Sequence, residues 1–168
     1  MKLVINIKET KTAIKEVDVY RKKKYEGKDV RFTNVNLLKL NEILTESLFY
    51  KNDLFINSET LWELMQEIGD SGIHNYHGLT SEDIVTALSQ ITEAYALLEV
   101  ELERHAIITT TLSHFEEPLM IIIKIGSGLY SNPNANINKI ITIYAKRDIE
   151  EYIKKRMPKK ILFYNNKK

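Results

Sequence analysis

Residues 2–8 alternate between apolar and polar side chains, the period of a strand. The densely charged stretch Lys8–Lys24 follows, reading either as an amphipathic helix or as a mobile arm. Val35, Leu38, Ile43 and Leu48 recur near helical spacing and predict a helix over 35–49. Asp53–Ile56 predicts a short strand leading into a second helix that opens at Asn57-Ser58. That helix carries Leu61, Leu64 and Ile68, with Trp62 on a neighbouring face, and Gly69-Asp70-Ser71-Gly72 ends it by turn chemistry. Thr80 and Asp83 stand at capping-box spacing, with Asp in place of Glu. Ile84, Val85, Leu88 and Ile91 then give one apolar face to a helix over 81–90.

Beyond that helix the period changes. Tyr95–Glu103, His105–Ser113, Leu119–Ile125 and Ile137–Ala145 are rich in Ile, Leu, Val, Thr and Tyr, and polar gaps separate them. The connections are too short for parallel crossovers, so these four segments predict an antiparallel meander. Asp148 opens a short helix with Glu150–Lys154 and Glu151–Lys155 at i,i+4 spacing, and Ile161–Tyr164 reads as a final strand. The expected fold is α+β: an antiparallel sheet of about four to five strands, with mostly N-terminal helices packed on one face. Residues 1–51 read as an extension packed on or flanking a domain over 52–168. The clearest loop is Ser127–Asn136, long enough to form a mobile lip over a site.

Composition narrows the class. The chain of 168 residues has 43% apolar residues, enough for one cored domain. It has no cysteine, which excludes disulfides, thiolate metal sites and cysteine nucleophiles. The net charge of +1 hides an asymmetry. Residues 1–30 carry nine basic and five acidic side chains, residues 31–138 five and fifteen, and residues 139–168 ten and three. The basic C-terminal block, including Lys154-Lys155-Arg156, is either an electrostatic footprint for a polyanion or a solvated helix face with a tail. The N-terminal apolar stretch is too short for a signal-peptide core, and no apolar run is long enough to span a bilayer. The expected location is therefore the cytoplasm, with no membrane partner.

No phosphate loop, dinucleotide fingerprint, nucleophile elbow or zinc-protease motif occurs. His74 and His77 stand three apart but lack a third convincing ligand, so neither a metal nor a cofactor is expected. The stretch Ile73–Thr80 places His77, beside Tyr76 and Gly78, just ahead of a capped helix. There the helix dipole favours a neutral, proton-accepting imidazole, suited to general acid or base work near neutral pH.

From Asn52 onward the order of features resembles the phage and mobile-element members of the barnase–EndoU–colicin–RelE nuclease superfamily. These include the C-terminal domains fused to MuF-like phage head proteins. The matching pieces are Leu54–Leu61, His77-Gly78-Leu79-Thr80, His105–Thr110, Pro118–Lys124, Asn138–Tyr144 and Tyr164–Lys167. The resemblance implies an endoribonuclease that uses no metal and cleaves RNA by attack of the ribose 2′-oxygen on phosphorus. It assigns His77 as base or acid, Thr142 and Tyr144 as phosphate hydrogen-bond donors, and Tyr164 as an auxiliary donor. Lys139 or Arg147 would be the cation at the phosphate. Thr142 and Tyr144 are two apart on a strand and so share a face. Tyr76 departs from the pattern, standing where family members often have Lys, and is expected to stack on a base instead. The implied setting is a toxin-like effector of a phage or mobile element, carried by a phage particle or delivered to a target cell, with RNA as substrate and an antitoxin or immunity protein as partner. The rival reading is a non-catalytic RNA- or protein-binding module, or an immunity protein, on the same fold. The acidic middle section favours that rival.

Overall fold

The computed structural model describes residues 1–44, 48–68, 76–93, 96–100, 105–148, 151–152, 155 and 161–164. Strand β1 (Val4–Asn6) leads into helix α1 (Thr10–Lys22), which buries Ala13, Val17 and Tyr20 at helical spacing. Of the two readings of Lys8–Lys24, the helix is the one adopted. Strand β2 (Asp29–Thr33), helix α2 (Leu38–Leu44), strand β3 (Leu54–Asn57) and helix α3 (Ser58–Leu64) complete the first third. Helix α2 is shorter than the periodicity predicts. The Asn41 side-chain carbonyl accepts the backbone N–H groups of Leu48 and Phe49, both at 3.0 Å, and holds those residues in a non-helical return.

Helix α4 (Ser81–Ser89) begins on the predicted capping box. The Asp83 N–H donates to Thr80 Oγ1, and the Thr80 N–H donates to the Asp83 carboxylate, both at 3.0 Å. Ile84, Val85, Leu88 and Ile91 are all buried. Strands β4 (Ala96–Val100), β5 (His105–Leu112), β6 (Pro118–Ser127) and β7 (Ile137–Ala145) form the expected antiparallel meander, and β8 (Ile161–Tyr164) is the last strand.

The protein is α+β, as expected, but its sheet is wider and of mixed direction. Eight strands run in the order β1-β2-β3-β7-β6-β5-β4-β8. The pairs β1–β2 and β3–β7 are parallel and the rest antiparallel. Helix α1 makes the β1–β2 crossover that a parallel pair requires. Helices are only partly N-terminal: α4 lies mid-chain, and residues 151–152 and 155 are helical. The residues over 1–51 supply β1 and β2, and their Ile5, Ile7, Val30 and Phe32 belong to one core cluster with Ile121, Ile123, Ile140 and Ile143. The turn expected at Gly69–Gly72, and His74, lie outside the described residues. Among those described, no helix is long and apolar enough to cross a membrane.

One irregularity matters for the site. Against β6, Ile122 faces Thr142 while Ile123 faces Ile140, so Ile141 is an extra residue in β7. Ile140 and Ile143, three apart, consequently both point into the core, and Ile141 is exposed. The alternation restarts beyond the bulge, placing Thr142 and Tyr144 on the same side of β7 as Lys139.

Candidate functional site

The chain between α3 and α4 is pinned from both sides. Gly78 N–H donates to Gln66 O at 2.8 Å and Leu79 N–H to Leu64 O at 3.0 Å, just before Thr80 caps α4. Leu79 is buried, and Gly78 has φ of +63°, a conformation that glycine adopts without a side-chain clash. These anchors carry His77 against the part of β7 that extends past its pairing with β3. His77 Nε2 lies 3.2 Å from Thr142 Oγ1, and its ring centroid is 5.6 Å from that of Tyr144. Burial holds the His77 pKa below that of a free imidazole, so the ring is neutral at neutral pH. The physical cause is desolvation of the ring.

His77 and Tyr144 line one cavity of about 340 Å³ together with Ile68, Phe115, Glu117, Ala145 and Arg147. Arg147 Nε donates to Glu117 Oε1 at 3.1 Å, with its side chain largely in water. The site thus combines a neutral imidazole, two hydroxyl-bearing side chains, a guanidinium and a carboxylate. Such a set can hydrogen-bond an anion and move a proton.

The other expected residues stand elsewhere. Tyr76 packs edge-on against Trp62, with ring centroids 5.6 Å apart, and Lys24 lies over the Trp62 ring. Lys139 faces Lys124 across the β6–β7 pair, and its ammonium is 6.0 Å from the Tyr130 ring. Tyr130 sits in the Ser127–Asn136 loop, which is tied down by Asp29 accepting the N–H groups of Tyr130 and Ser131 at 2.9 and 3.0 Å. That loop lines no part of the His77 cavity. Tyr164 is on edge strand β8, four strand spacings from β7, or roughly 19 Å measured along the sheet. The register sets it in the same cross-sheet row as Tyr144, through Ala96, Thr109 and Met120, so the strand order is what separates it from His77. Of the basic block Lys154-Lys155-Arg156, only Lys155 is described, 3.7 Å from Glu151 at the predicted i,i+4 spacing.

Sequence reasoning missed Glu117 and Phe115, which fall in one of the gaps between the predicted strands. The signal was the β6–β7 register: Leu119 opposite Ala145 sets Glu117 opposite Arg147. It also missed a part-buried link next to Phe115. Asp83 accepts the backbone N–H of His114 at 2.8 Å and contacts its ring Nδ1, and the His114 ring lies 3.8 Å, centroid to centroid, from that of Phe115.

No curated protein and no solved structure matches the chain. A family model for the phage MuF C-terminal domain matches residues 70–168, more than half of the sequence and the part that holds His77, α4 and β4–β8. The chain belongs to the phage MuF C-terminal domain family.

Proposed function

We propose that this phage-associated domain is a toxin-like endoribonuclease of the barnase–EndoU–colicin–RelE type. The observation that carries the reading is the approach of His77 Nε2 to Thr142 Oγ1 at a cavity shared with Tyr144 and Arg147. A neutral His77 takes the proton from the ribose 2′-hydroxyl, and the freed oxygen bonds to the adjacent phosphorus. The P–O5′ bond breaks, and the departing oxygen takes a proton from water and leaves as a 5′-hydroxyl. His77 returns its proton to the solvent, and a 2′,3′-cyclic phosphate remains. Thr142 and Tyr144 donate to the phosphate oxygens, and Arg147 offsets their charge as it grows. These steps require no metal ion. RNA is the substrate, and an antitoxin or immunity protein would restrain the activity in the producing cell.

The Glu117–Arg147 pair favours a second reading, a non-catalytic binding module, because a carboxylate already satisfies the cation meant for phosphate. One experiment separates the two. Purified protein is incubated with RNA in chelator, and the products are assayed for 2′,3′-cyclic ends. The ribonuclease reading expects such ends from the wild type and few from His77→Ala. RNA left intact assigns the fold to binding.

A further inference from the structure

We propose that Phe115 is the platform on which the nucleobase adjoining the cleaved phosphate stacks, with His114 and Asp83 as positioning residues behind it. The proposal rests on the ribonuclease reading for the identity of the ligand. Phe115 is 45% exposed and Ile68 67% exposed, and both line the His77 cavity. They flank Gly78: a Cβ there would lie 3.4 Å from Phe115 and 3.6 Å from Ile68. The apolar wall therefore begins one residue from the imidazole. A ligand that satisfies the whole cavity has a planar apolar part beside an anionic part, which is the chemistry of a nucleotide.

The platform is rigid before any ligand arrives. Ser113 N–H donates to Glu117 O at 2.8 Å, Glu116 N–H to Ser113 O at 2.9 Å and Phe115 N–H to Ser113 Oγ at 3.1 Å, closing a tight turn between β5 and β6. The His114 ring packs on Phe115 and is held in turn by the buried carboxylate of Asp83. Asp83 is itself fixed by the cap of α4. An aromatic ring ordered in advance loses little freedom on binding and stacks on any base.

The test uses a deoxydinucleotide containing 2-aminopurine, which lacks the attacking 2′-hydroxyl and loses fluorescence when its base stacks. The wild-type chain should quench this probe, Phe115→Trp should also quench it, and Phe115→Ala should bind about 5- to 150-fold more weakly, the range for one stacked base. Phe115→Leu keeps apolar volume without the ring and should resemble Phe115→Ala, guarding against a folding artefact. In cleavage, Phe115→Ala should lower kcat/KM on RNA mainly through KM. It should match the wild type on RNA that is abasic at the adjoining position. Equal losses on normal and abasic RNA, or binding without quenching, would overturn the platform, as would Phe115→Ala cleaving normal RNA like the wild type. A wild type that quenches the probe yet cleaves no RNA would keep the platform and overturn the ribonuclease reading.

Discussion

Asp83 Oδ1 accepts the backbone N–H of His114, thirty-one residues away, while Oδ2 meets the same residue's ring and the backbone N–H of Thr80. One buried carboxylate thus joins the start of α4 to the β5–β6 turn. Asp83→Asn replaces one acceptor oxygen by an N–H₂ group among donors and loses charge-assisted bonds. It should cost about 2–3 kcal/mol in urea unfolding. Thr80→Ala, which removes only the cap hydroxyl, should cost about 1 kcal/mol. Equal costs would show that the link to the turn contributes nothing.

His77 makes a pH prediction whose sign is fixed. Its folded pKa is depressed by burial below the ordinary 6.5. The stability associated with the neutral ring is therefore complete above that ordinary value and is lost as pH falls through the folded pKa. His77→Gln should remove this acid-side loss, seen as a flatter Tm profile below pH about 6.5. If His77 is the general base, wild-type cleavage should fall over the same acid range. A profile unchanged by the substitution would take His77 out of both roles.

Much of this was legible in the sequence because its signals are local. The Thr80/Asp83 cap, the apolar face of α4 and the β-rich segments of the meander all lie within a few residues of themselves. The pairing of Thr142 with Tyr144 needed only the two-residue repeat of a strand. What failed depended on partners distant in the chain. The bulge at Ile141 and the meeting of Glu117 with Arg147 are set by the β6–β7 register, which one strand's composition does not encode. Likewise, nothing local in Val4–Asn6 announces a parallel pairing with β2, nor in Tyr164 a place on the far edge.

Thr142→Val keeps the shape of a β-branched side chain and removes only the hydroxyl near His77. Unfolding should shift by no more than about 1 kcal/mol, because the lost bond is single and part-buried. Cleavage should nevertheless slow. His77→Ala, which deletes the proton acceptor, should cost about 10²–10⁴-fold in rate. Single-turnover kinetics on a short RNA will rank the two, and a full-speed His77→Ala would end the assignment.

The charge asymmetry predicts salt dependence. If the C-terminal block contacts RNA, log affinity should fall with log salt at about 0.7 per neutralised phosphate. Replacing Lys154, Lys155 and Arg156 by Gln should flatten the slope in a filter-binding titration. An unaltered slope would mark them as a solvated surface.

The extra residue at Ile141 makes β7 a strand with two reading frames. Upstream of it, every second side chain is assigned to core or solvent in one phase; downstream, the assignment is inverted. Deleting Ile141 would leave Ile123 opposite Ile140 and Ile122 opposite Thr142 in an unbroken ladder, because the residue removed has no partner of its own. Ile140 and Ile143 would still face the core and Thr142 and Tyr144 would keep their side, while the bend and added twist of the bulge would be lost. A single-codon deletion is thus expected to cost little stability and to be felt instead in how Thr142 and Tyr144 meet His77.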